Sequence, residues 1–245
     1  MIRAQNVQKN VQTSEGSLCI LKGIDLEIKV GETVAVIGCS GSGKSTLLGL
    51  LAGLDIPSSG LIVLGGQDIT ALNEDQRAQV RADLVGFVFQ SFQLLPSLTA
   101  LENVMLPAEL NGVAGAQVLA EKYLQRVGLE HRIKHYPRQL SGGEQQRVAI
   151  ARAFASQPKV LFADEPTGNL DTATGAHVID LLFDLNREEG ATLVLVTHEQ
   201  RLAERCQRSL TLEAGELIAD TRRDEGLQSN TRRENPPIKA VGEDR

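Results

Sequence analysis

The segment at residues 38–46, GCSGSGKST, constrains this chain more than any other part of its sequence. It fits the pattern G-x-x-x-x-G-K-[ST], and it lies between a β-branched run, TVAVI, and a leucine-rich stretch with helical spacing. Glycines let consecutive backbone N–H groups converge on phosphate oxygens at the positive end of a helix dipole. The alternative is a Gly/Ser loop that only caps a helix, which the Lys-Ser pair and the flanking elements disfavour. The segment therefore predicts a phosphate-binding loop formed by Gly38, Cys39, Ser40, Gly41, Ser42, Gly43, Lys44, Ser45 and Thr46.

The carboxylates that would complete a nucleotide site follow a second apolar run. In VLFADE, at residues 160–165, Asp164 falls at the carboxyl end of a predicted strand, where doubly wound sheets place their ligands. Lys44 would contact the β- and γ-phosphates, and Ser45 and Asp164 would hold Mg²⁺. Glu165 would face the γ-phosphate and polarise the attacking water. The alternative is a charged turn after a strand, and the phosphate loop disfavours it.

Two more polar residues close strand-like runs. Gln90 ends VGFVFQ, and His198 ends TLVLVTH. Gln90 would touch Mg²⁺ or the attacking water from a second side, and His198 would hydrogen-bond the γ-phosphate. A Gln or His at a strand end is as often a cap as a ligand, so spacing alone leaves both roles open.

The composition is that of a globular protein, and it excludes several classes of function. Of 245 residues, 42% are hydrophobic and 23% are charged, and no apolar run approaches the ~20 residues that span a bilayer. The first ten residues lack the apolar core of a signal peptide, so we expect a cytoplasmic protein without direct membrane insertion. A net charge of −6 and 3% aromatic residues disfavour nucleic acid as a partner. Three cysteines in no metal-ligand spacing predict free thiols.

The order of strand-like and helical runs predicts an α/β fold. Alternating residues near Cys19 and Leu26 indicate antiparallel strands at the start. Later strand-like runs alternate with helical stretches and lie at residues 33–38, 61–64, 85–89, 160–163 and 192–197. Residues 98–140 lack a good strand and predict an inserted helical subdomain. The folded domain is expected at residues 1–220. Residues 221–245 are expected to be disordered, because their few apolar side chains cannot offset the entropy of ordering them.

A second helix start, LSGGEQQ at residues 140–146, resembles the signature motif of ABC ATPases. By itself it would indicate only a helix capped by Ser141, with glycines that leave backbone N–H groups open to an anion. The complete order, GCSGSGKST, Gln90, LSGGEQQ, VLFADE, GNLD and His198, is similar to that family over about residues 2–218. The resemblance implies a P-loop NTPase fold of the ABC ATPase type, with a mainly parallel core sheet, an antiparallel β edge subdomain and an inserted helical subdomain.

The resemblance also implies an ATPase that works as a head-to-tail homodimer. Each ATP would lie between the phosphate loop of one chain and the LSGGE segment of the other. Glu165 would be the catalytic base, His198 the sensor of the γ-phosphate, and Gln90 a Mg²⁺ contact. Asp171 would cross the dimer interface. The segment facing the partner's ATP would comprise Ser141, Gly142, Gly143 and Glu144, with the γ-phosphate held by Ser141 and Gly143.

Val11 departs from the pattern of the family. An aromatic side chain that stacks on adenine often stands at this place in such chains, and a valine reduces the stacking to an apolar contact. We therefore expect looser selectivity for the base and a lower affinity for ATP.

Three longer segments narrow the resemblance. GLDIPSSG, VGFVFQSFQLLPSLTALENV and FADEPTGNLDTATG are similar to the MacB/LolD group of ABC transporter ATP-binding proteins, and LLFDLNREEGATLVLVTH is similar to its YbbA branch. That group works with an inner-membrane permease of the MacB/FtsX type, which implies a peripheral location on the cytoplasmic face of that membrane. Residues 91–104, from Ser91 to Val104, would line the groove that receives the permease. The alternative is that the apolar side chains in it only pack the helical subdomain: Phe92, Leu94, Leu95 and Leu98.

The function implied by the resemblance is an ATP-hydrolysing subunit that moves such a permease. The movement would serve export or release of a lipid, lipoprotein, peptide or drug, or mechanotransmission. Two other functions stay open. One is a soluble ABC ATPase of translation or DNA repair, which the single cassette and the lack of a long coiled-coil insert disfavour. The other is a regulatory role without export, which no residue separates from transport.

Overall fold

Two β-sheets organise residues 1–14 and 16–223, the part of the chain that the computed structural model describes. The smaller sheet is antiparallel, with strand order β2-β1-β4-β5. Its alternating sequence puts Ile24, Leu26 and Ile28 against the core and leaves the acidic residues between them exposed. The strands are β1 (Ile2–Thr13), β2 (Gly16–Ile28), β4 (Ser59–Leu64) and β5 (Gln67–Asp68).

The larger sheet has six strands in the order β10-β9-β3-β8-β7-β6. Neighbouring strands are parallel, except for the antiparallel pair β9–β10. The central strands are continuous apolar runs because helices cover both faces of a parallel sheet. The six strands are β3 (Thr33–Ile37), β6 (Val85–Phe89), β7 (Val160–Asp164), β8 (Thr192–Val196), β9 (Arg208–Glu213) and β10 (Glu216–Arg222).

Seven α-helices and a short 3₁₀ turn, Pro137–Gln139, connect the described strands. Three of the helices begin with a capping box, in which Asn73, Thr99 or Ser141 exchanges hydrogen bonds with the residue three positions later. The helices are α1 (Lys44–Leu51), α2 (Glu74–Leu84), α3 (Ala100–Leu110), α4 (Ala116–Arg126), α5 (Gly142–Ala155), α6 (Thr172–Glu189) and α7 (Gln200–Ala203). None of these described helices combines the length and the apolar character that a membrane span requires.

Two apolar clusters lie on opposite faces of the larger sheet. One contains the small sheet and α1, and its side chains include Leu47 and Leu50. The other contains the helices α3 to α6, and its side chains include Phe154 and Leu182. Alternate residues of the central strands contribute to the two clusters, as the period of two in a strand requires.

The predicted α/β class with an antiparallel edge subdomain is confirmed. The predicted strand-like runs match β3, β4, β6, β7 and β8, while β9 and β10 were not predicted. Between residues 98 and 140 the described structure contains α3, α4 and the 3₁₀ turn and no strand. Strand β10 runs to Arg222, two residues beyond the expected domain end, and the part of the predicted disordered tail from residue 224 onward lies outside the described residues.

Candidate nucleotide site

The polar residues predicted from the sequence gather at one edge of the larger sheet. The phosphate loop follows β3, and Gln90 follows β6. Asp164 is the last residue of β7, Glu165 comes directly after it, and His198 lies two residues after β8. Because these four strands are parallel, their carboxyl ends meet at the same edge, which is where open α/β sheets bind ligands.

At three positions the phosphate loop has a backbone conformation with positive φ, which favours glycine. Gly38, Gly41 and Gly43 have φ values of 153°, 78° and 99°. A Cβ atom on Gly38 would lie 2.1 Å from the carbonyl oxygen of Leu212, so this glycine keeps the loop close to β9. Lys44 is 7% exposed and its Nζ donates to the carbonyl oxygens of Gly38 and Cys39 at 2.9 and 2.8 Å. The loop thus wraps its own backbone around a buried ammonium group.

A pair of oxygen groups beside the loop fits a hard divalent cation. The Ser45 hydroxyl donates to Asp164 Oδ1 at 3.1 Å, and hydroxyl and carboxylate oxygens are ligands that Mg²⁺ prefers. Burial raises the pKa of Asp164, the negative charge of Glu165 adds to the rise, and the Ser45 hydrogen bond opposes it. The nearby Ser42 hydroxyl is buried and has no hydrogen-bond partner within the described residues, so the loop holds an unused polar group.

Glu165 and His198 form a contact at the end of β7 and β8. His198 Nδ1 lies 3.3 Å from Glu165 Oε1. Because the Glu165 carboxylate can only accept, a hydrogen bond between them requires a proton on Nδ1 of His198. The His198 side chain is 63% exposed and that of Glu165 is 25% exposed. The pair is therefore open to a ligand while the acid stays partly shielded from water.

Asn169 is a functional candidate that the sequence reasoning left without a role. Its Nδ2 donates to the carbonyl oxygen of Gln90 at 2.9 Å, and Gln90 Nε2 lies 3.4 Å from Asn169 Oδ1. This exchange ties the end of β6 to the turn after β7. Nothing in the spacing of the motifs pointed to it, because the partners are 79 residues apart in the chain.

Asp171 closes the same turn as the N-cap of α6. It accepts hydrogen bonds from the backbone N–H groups of Ala173 and Thr174 at 3.1 and 3.0 Å. Hydrogen bonds from Thr174 hold the pKa of Asp171 below its usual range. Within the chain, this residue has a structural role as a helix cap, which does not conflict with a contact across an interface.

The signature segment begins α5 and lies apart from the phosphate loop. Glu144 Oε2 accepts from the backbone N–H of Ser141 at 2.8 Å, a bond that lowers the pKa of Glu144, and Arg132 Nε donates to the same carboxylate at 3.2 Å. A Cβ atom on Gly143 would lie 2.4 Å from Thr174 Cγ2, so α5 packs closely against α6 here. In the part of the chain described, no hydrogen bond or ion pair joins residues 141–144 to residues 38–46.

The segment after Gln90 has a fixed and unusual backbone. Phe92 and Gln93 have left-handed φ values of 60° and 48°, and their carbonyl oxygens accept from the Arg152 guanidinium at 3.0 and 2.6 Å. Asn103 holds the next residues: its Oδ1 accepts from the N–H of Leu95 at 2.8 Å, and its Nδ2 donates to the Leu95 carbonyl at 3.1 Å. The segment is therefore anchored to α5 and α3 through its backbone.

A groove of about 460 Å³ lies between this segment, β6 and α3. Leu95 is 44% exposed at its rim, whereas Leu94 packs against the apolar cluster of the helices, and Phe92 and Leu98 are half-buried. Leu94 therefore packs the helical subdomain, whereas Leu95 is open to solvent, and its contact with a permease stays a prediction. The lining is mostly apolar and includes Phe87, Phe89, Leu95, Leu106, Pro107 and Leu110.

Val11 lies on β1, in the hairpin whose second strand contacts the phosphate loop. It pairs with Leu18 across the β1–β2 hairpin, and Leu18 is 55% exposed. A Cβ atom on Gly43 would lie 3.2 Å from the carbonyl oxygen of Ile20, which places this part of β2 against the loop. The half-buried Val11 and the exposed Leu18 offer an apolar surface without an aromatic ring.

The fold and the phosphate loop define a P-loop nucleoside triphosphatase. Residues 21–168 match the family model described as ABC transporter. The described structure matches a dimeric post-hydrolysis state of the ATP-binding cassette MJ0796 bound to ADP and Pi, with a TM-score of 0.85 and 41% identity over 91% of this chain and 98% of that chain. The chain belongs to the ABC transporter family, as an ATP-binding subunit that hydrolyses ATP.

Two relatives locate the chain within this family. It is 55% identical to the Escherichia coli (strain K12) "Uncharacterized ABC transporter ATP-binding protein YbbA" over 219 residues, 89% of this chain and 96% of the relative. It is 52% identical to the "Lipoprotein-releasing system ATP-binding protein LolD" of Legionella pneumophila (strain Paris) over 221 residues, 89% of this chain and 97% of the relative. The expected YbbA/LolD branch is therefore confirmed.

Proposed function

We propose that this chain works as a homodimer that couples ATP hydrolysis to movement of an inner-membrane permease of the MacB/FtsX type. The observation that supports this most is the grouping of the Ser45–Asp164 and Glu165–His198 pairs at one sheet edge. The movement releases or exports a lipid, lipoprotein, peptide or drug, and the name of the LolD relative favours a lipoprotein. The chain acts on the cytoplasmic face of the membrane.

The hydrolytic step follows from the chemistry of these side chains. The N–H groups of the phosphate loop and Lys44 bind the phosphates of ATP. Ser45, Asp164 and Gln90 would hold Mg²⁺, which would neutralise charge on the phosphate oxygens. Glu165 accepts the proton of the attacking water, and His198 keeps the Glu165 carboxylate in place and contacts the γ-phosphate.

The dimer explains why the signature segment lies apart from the phosphate loop. A capped helix start with two glycines can present backbone N–H groups to an anion, yet among the described residues no bond joins it to the nucleotide residues of its own chain. In a head-to-tail pair, Ser141 and Gly143 instead face the γ-phosphate bound by the partner. The MJ0796 cassette, which shares this fold, is dimeric.

The apolar groove beside Leu95 is the surface we assign to the permease. It is bordered by the segment after Gln90, which Asn169 ties to the turn that follows Glu165. A change in the nucleotide site therefore has a short path of hydrogen bonds to the groove. The groove includes the exposed side chains of Leu95 and Leu110, and a contiguous exposed apolar surface is typical of protein interfaces.

The test is a pull-down with tagged Glu165→Gln protein and Mg-ATP from detergent-solubilised membranes, with partners identified by mass spectrometry. We expect hydrolysis to fall by about 100-fold or more, because the base is lost while binding is kept. The trapped protein should elute as a dimer with one permease that has a large periplasmic domain.

Two surface variants sharpen this experiment. Leu95→Glu in the Glu165→Gln background should lose the permease and keep the dimer, whereas Ile218→Glu, at another exposed apolar side chain, on β10, should keep both. Recovery of ribosomes or repair proteins would indicate the soluble class of ABC ATPase. Hydrolysis by Glu165→Gln at the wild-type rate would exclude the catalytic role of Glu165.

A further inference from the structure

Gln146 is a buried amide on α5 with incomplete hydrogen bonding. Its side chain is fully buried, and its Nε2 donates to the carbonyl oxygen of Pro166 at 2.6 Å. Its Oε1 has no hydrogen-bond partner among the described residues. The Pro166 carbonyl fixes the orientation of the amide, because an oxygen in the place of Nε2 would face another acceptor.

Stability alone gives little reason for an amide at this position. The bond to Pro166 stabilises the folded chain, but burying Oε1 without a partner destabilises it by a comparable amount. A methionine of similar length would remove both effects, at the cost of leaving the Pro166 carbonyl oxygen unpaired. A buried polar atom without a partner calls for another explanation, and a role in positioning is one that the neighbouring residues support.

The group that Gln146 holds is next to Glu165 in the chain. Glu165 has a φ value of 43°, a left-handed conformation that is strained for a residue with a side chain and that the following proline restricts further. Its N–H donates to the Val196 carbonyl at 2.9 Å, and its own carbonyl accepts from the Gly168 N–H at 3.0 Å. These two bonds hold the backbone of Glu165 itself, and the bond from Gln146 holds the next peptide group.

We propose that Gln146 is a positioning residue that fixes the direction of the Glu165 carboxylate through the carbonyl group of Pro166. The proposal rests on the proposed role of Glu165 as the catalytic base. Loss of the bond frees the Pro166 peptide group to rotate, and the strained backbone of Glu165 then relaxes away from the conformation that points its side chain at His198.

The position of Gln146 on α5 adds a second consequence. The first turn of this helix carries Ser141 and Gly143, which face the partner's nucleotide in the proposed dimer. A shift of α5 moves Gln146 and, with it, the carbonyl group beside Glu165. Each chain would thus connect the signature segment at one ATP to the catalytic base at the other ATP.

The test is the steady-state hydrolysis of ATP by full-length Gln146→Met. We expect kcat to fall about tenfold and KM to stay within about twofold, because the change affects the reacting geometry rather than ATP binding. The dissociation constant for Mg-ATP, ATP-dependent dimer formation and Tm should stay near the wild-type values. A purely structural role would instead lower Tm or weaken binding together with kcat.

Asn186→Leu is the matched control. Asn186 is also a buried amide, and its Oδ1 has no hydrogen-bond partner in the described part of the chain. It lies on α6 at the opposite edge of the sheet, where the strands begin. We expect it to leave kcat unchanged. Gln146→Leu provides a second variant if the methionine variant does not fold.

The outcomes separate this inference from the proposed function. If Gln146→Met keeps the wild-type kcat, or if its loss of kcat follows a loss of Tm or of nucleotide affinity, Gln146 does not position Glu165. A second outcome is that kcat falls in Gln146→Met but not in Glu165→Gln. Glu165 is then not the catalytic base, and Gln146 acts on some other group, so both the proposed role of Glu165 and the inference are overturned. If only Glu165→Gln loses activity, the proposed function stands and the inference fails.

Discussion

At the scale of single residues, the two adjacent carboxylates at the end of β7 are in different environments. Asp164 is half-buried beside Ser45 and has a raised pKa, whereas Glu165 lies in a left-handed conformation next to His198. Successive residues at a strand end point in different directions, so neighbours in sequence reach different parts of a ligand. Because of this separation, Asp164 is placed to bind a cation and Glu165 to contact a water molecule.

The raised pKa of Asp164 leads to a prediction about stability. An acid whose pKa is raised by folding stabilises the folded chain when it is protonated, and this contribution is lost as the pH rises through the folded pKa. At neutral pH the ionised Asp164 therefore destabilises the chain when nucleotide and metal are not added. Asp164→Asn should raise Tm by about 2 °C at pH 8, with a smaller rise in mildly acidic buffer.

Thermal unfolding at both pH values, with and without Mg-ATP, tests this prediction. Mg-ATP should stabilise the variant less than the wild type, because the asparagine has no charge to offer the cation. A Tm of the variant at pH 8 that is equal to or lower than that of the wild type would contradict the argument.

Individual site residues were predictable to the extent that their roles depend on local sequence. The phosphate loop, the carboxylates after β7 and the capped start of α5 are contiguous motifs, and the structure has them where the motifs indicate. Asn169 and Gln146 could not be found in this way. Their partners, Gln90 and Pro166, are distant in the chain and are reached only after the strands and α5 have packed.

At the scale of elements, a buried arginine joins strands β9 and β10, and the same arginine prevents the hydrophobic pattern of the sequence from predicting them. Arg208 begins β9 with only 5% of its side chain exposed. Its Nε and Nη2 donate to the two carboxylate oxygens of Asp220 on β10 at 2.6 Å each, and its Nη1 donates to the Glu27 carbonyl on β2 at 2.7 Å. An arginine at a buried strand position breaks the apolar alternation that predicts a strand, so the pattern alone did not indicate this hairpin.

Arg208→Met tests how much this charged cluster stabilises the fold. Removing one partner of a buried ion pair leaves the other unpaired, and because Asp220 is 42% exposed we expect a loss of about 2 kcal/mol rather than the full penalty. In urea unfolding, Arg208→Met should therefore have a lower midpoint than the wild type. Arg187→Met, at a 77% exposed arginine paired with Asp184 on α6, should change the midpoint little.

The pH dependence gives a second check on the same cluster. The hydrogen bond from Arg208 lowers the pKa of Asp220, so its contribution is present above the ordinary pKa of a carboxyl and is lost as the pH falls through the folded value. The difference in stability between the wild type and Arg208→Met should therefore shrink in acid. A difference that stays constant down to strongly acidic pH would exclude Asp220 as the source of the effect.

At the scale of the whole molecule, the nucleotide site depends on both apolar clusters. Helix α1, which follows the phosphate loop, packs into the cluster with the small sheet, and α5, which carries the signature segment, packs into the cluster on the other face. The sheet between them carries Glu165 and His198 at its edge. The alternation of strands and helices predicted this layered class, but which helix covers which face follows only from the strand order.

Removal of residues 224–245 tests the expected domain end. Both described clusters are built from side chains no later than Leu217, and the removed segment contains few apolar residues. We therefore expect a chain that ends at Arg223 to keep Tm within about 2 °C and kcat within about twofold of the full-length values. A lower Tm in calorimetry, or a lower kcat in an ATPase assay, of the shortened chain than of the full-length chain would show that this segment contributes.

The bonds of Asn103 have a consequence for how proteins of this kind diversify. This one side chain holds the segment after Gln90 through the backbone of Leu95 and also bonds the carbonyl oxygens of Leu98 and Thr99, both at 3.0 Å. The shape of the segment is therefore held through its backbone and does not depend on its exposed side chains, such as that of Leu95. Substitutions at its exposed positions can accumulate in descendants without refolding the loop. If the proposed permease contact lies here, gene duplication followed by a few such changes would let a copy acquire a different membrane partner.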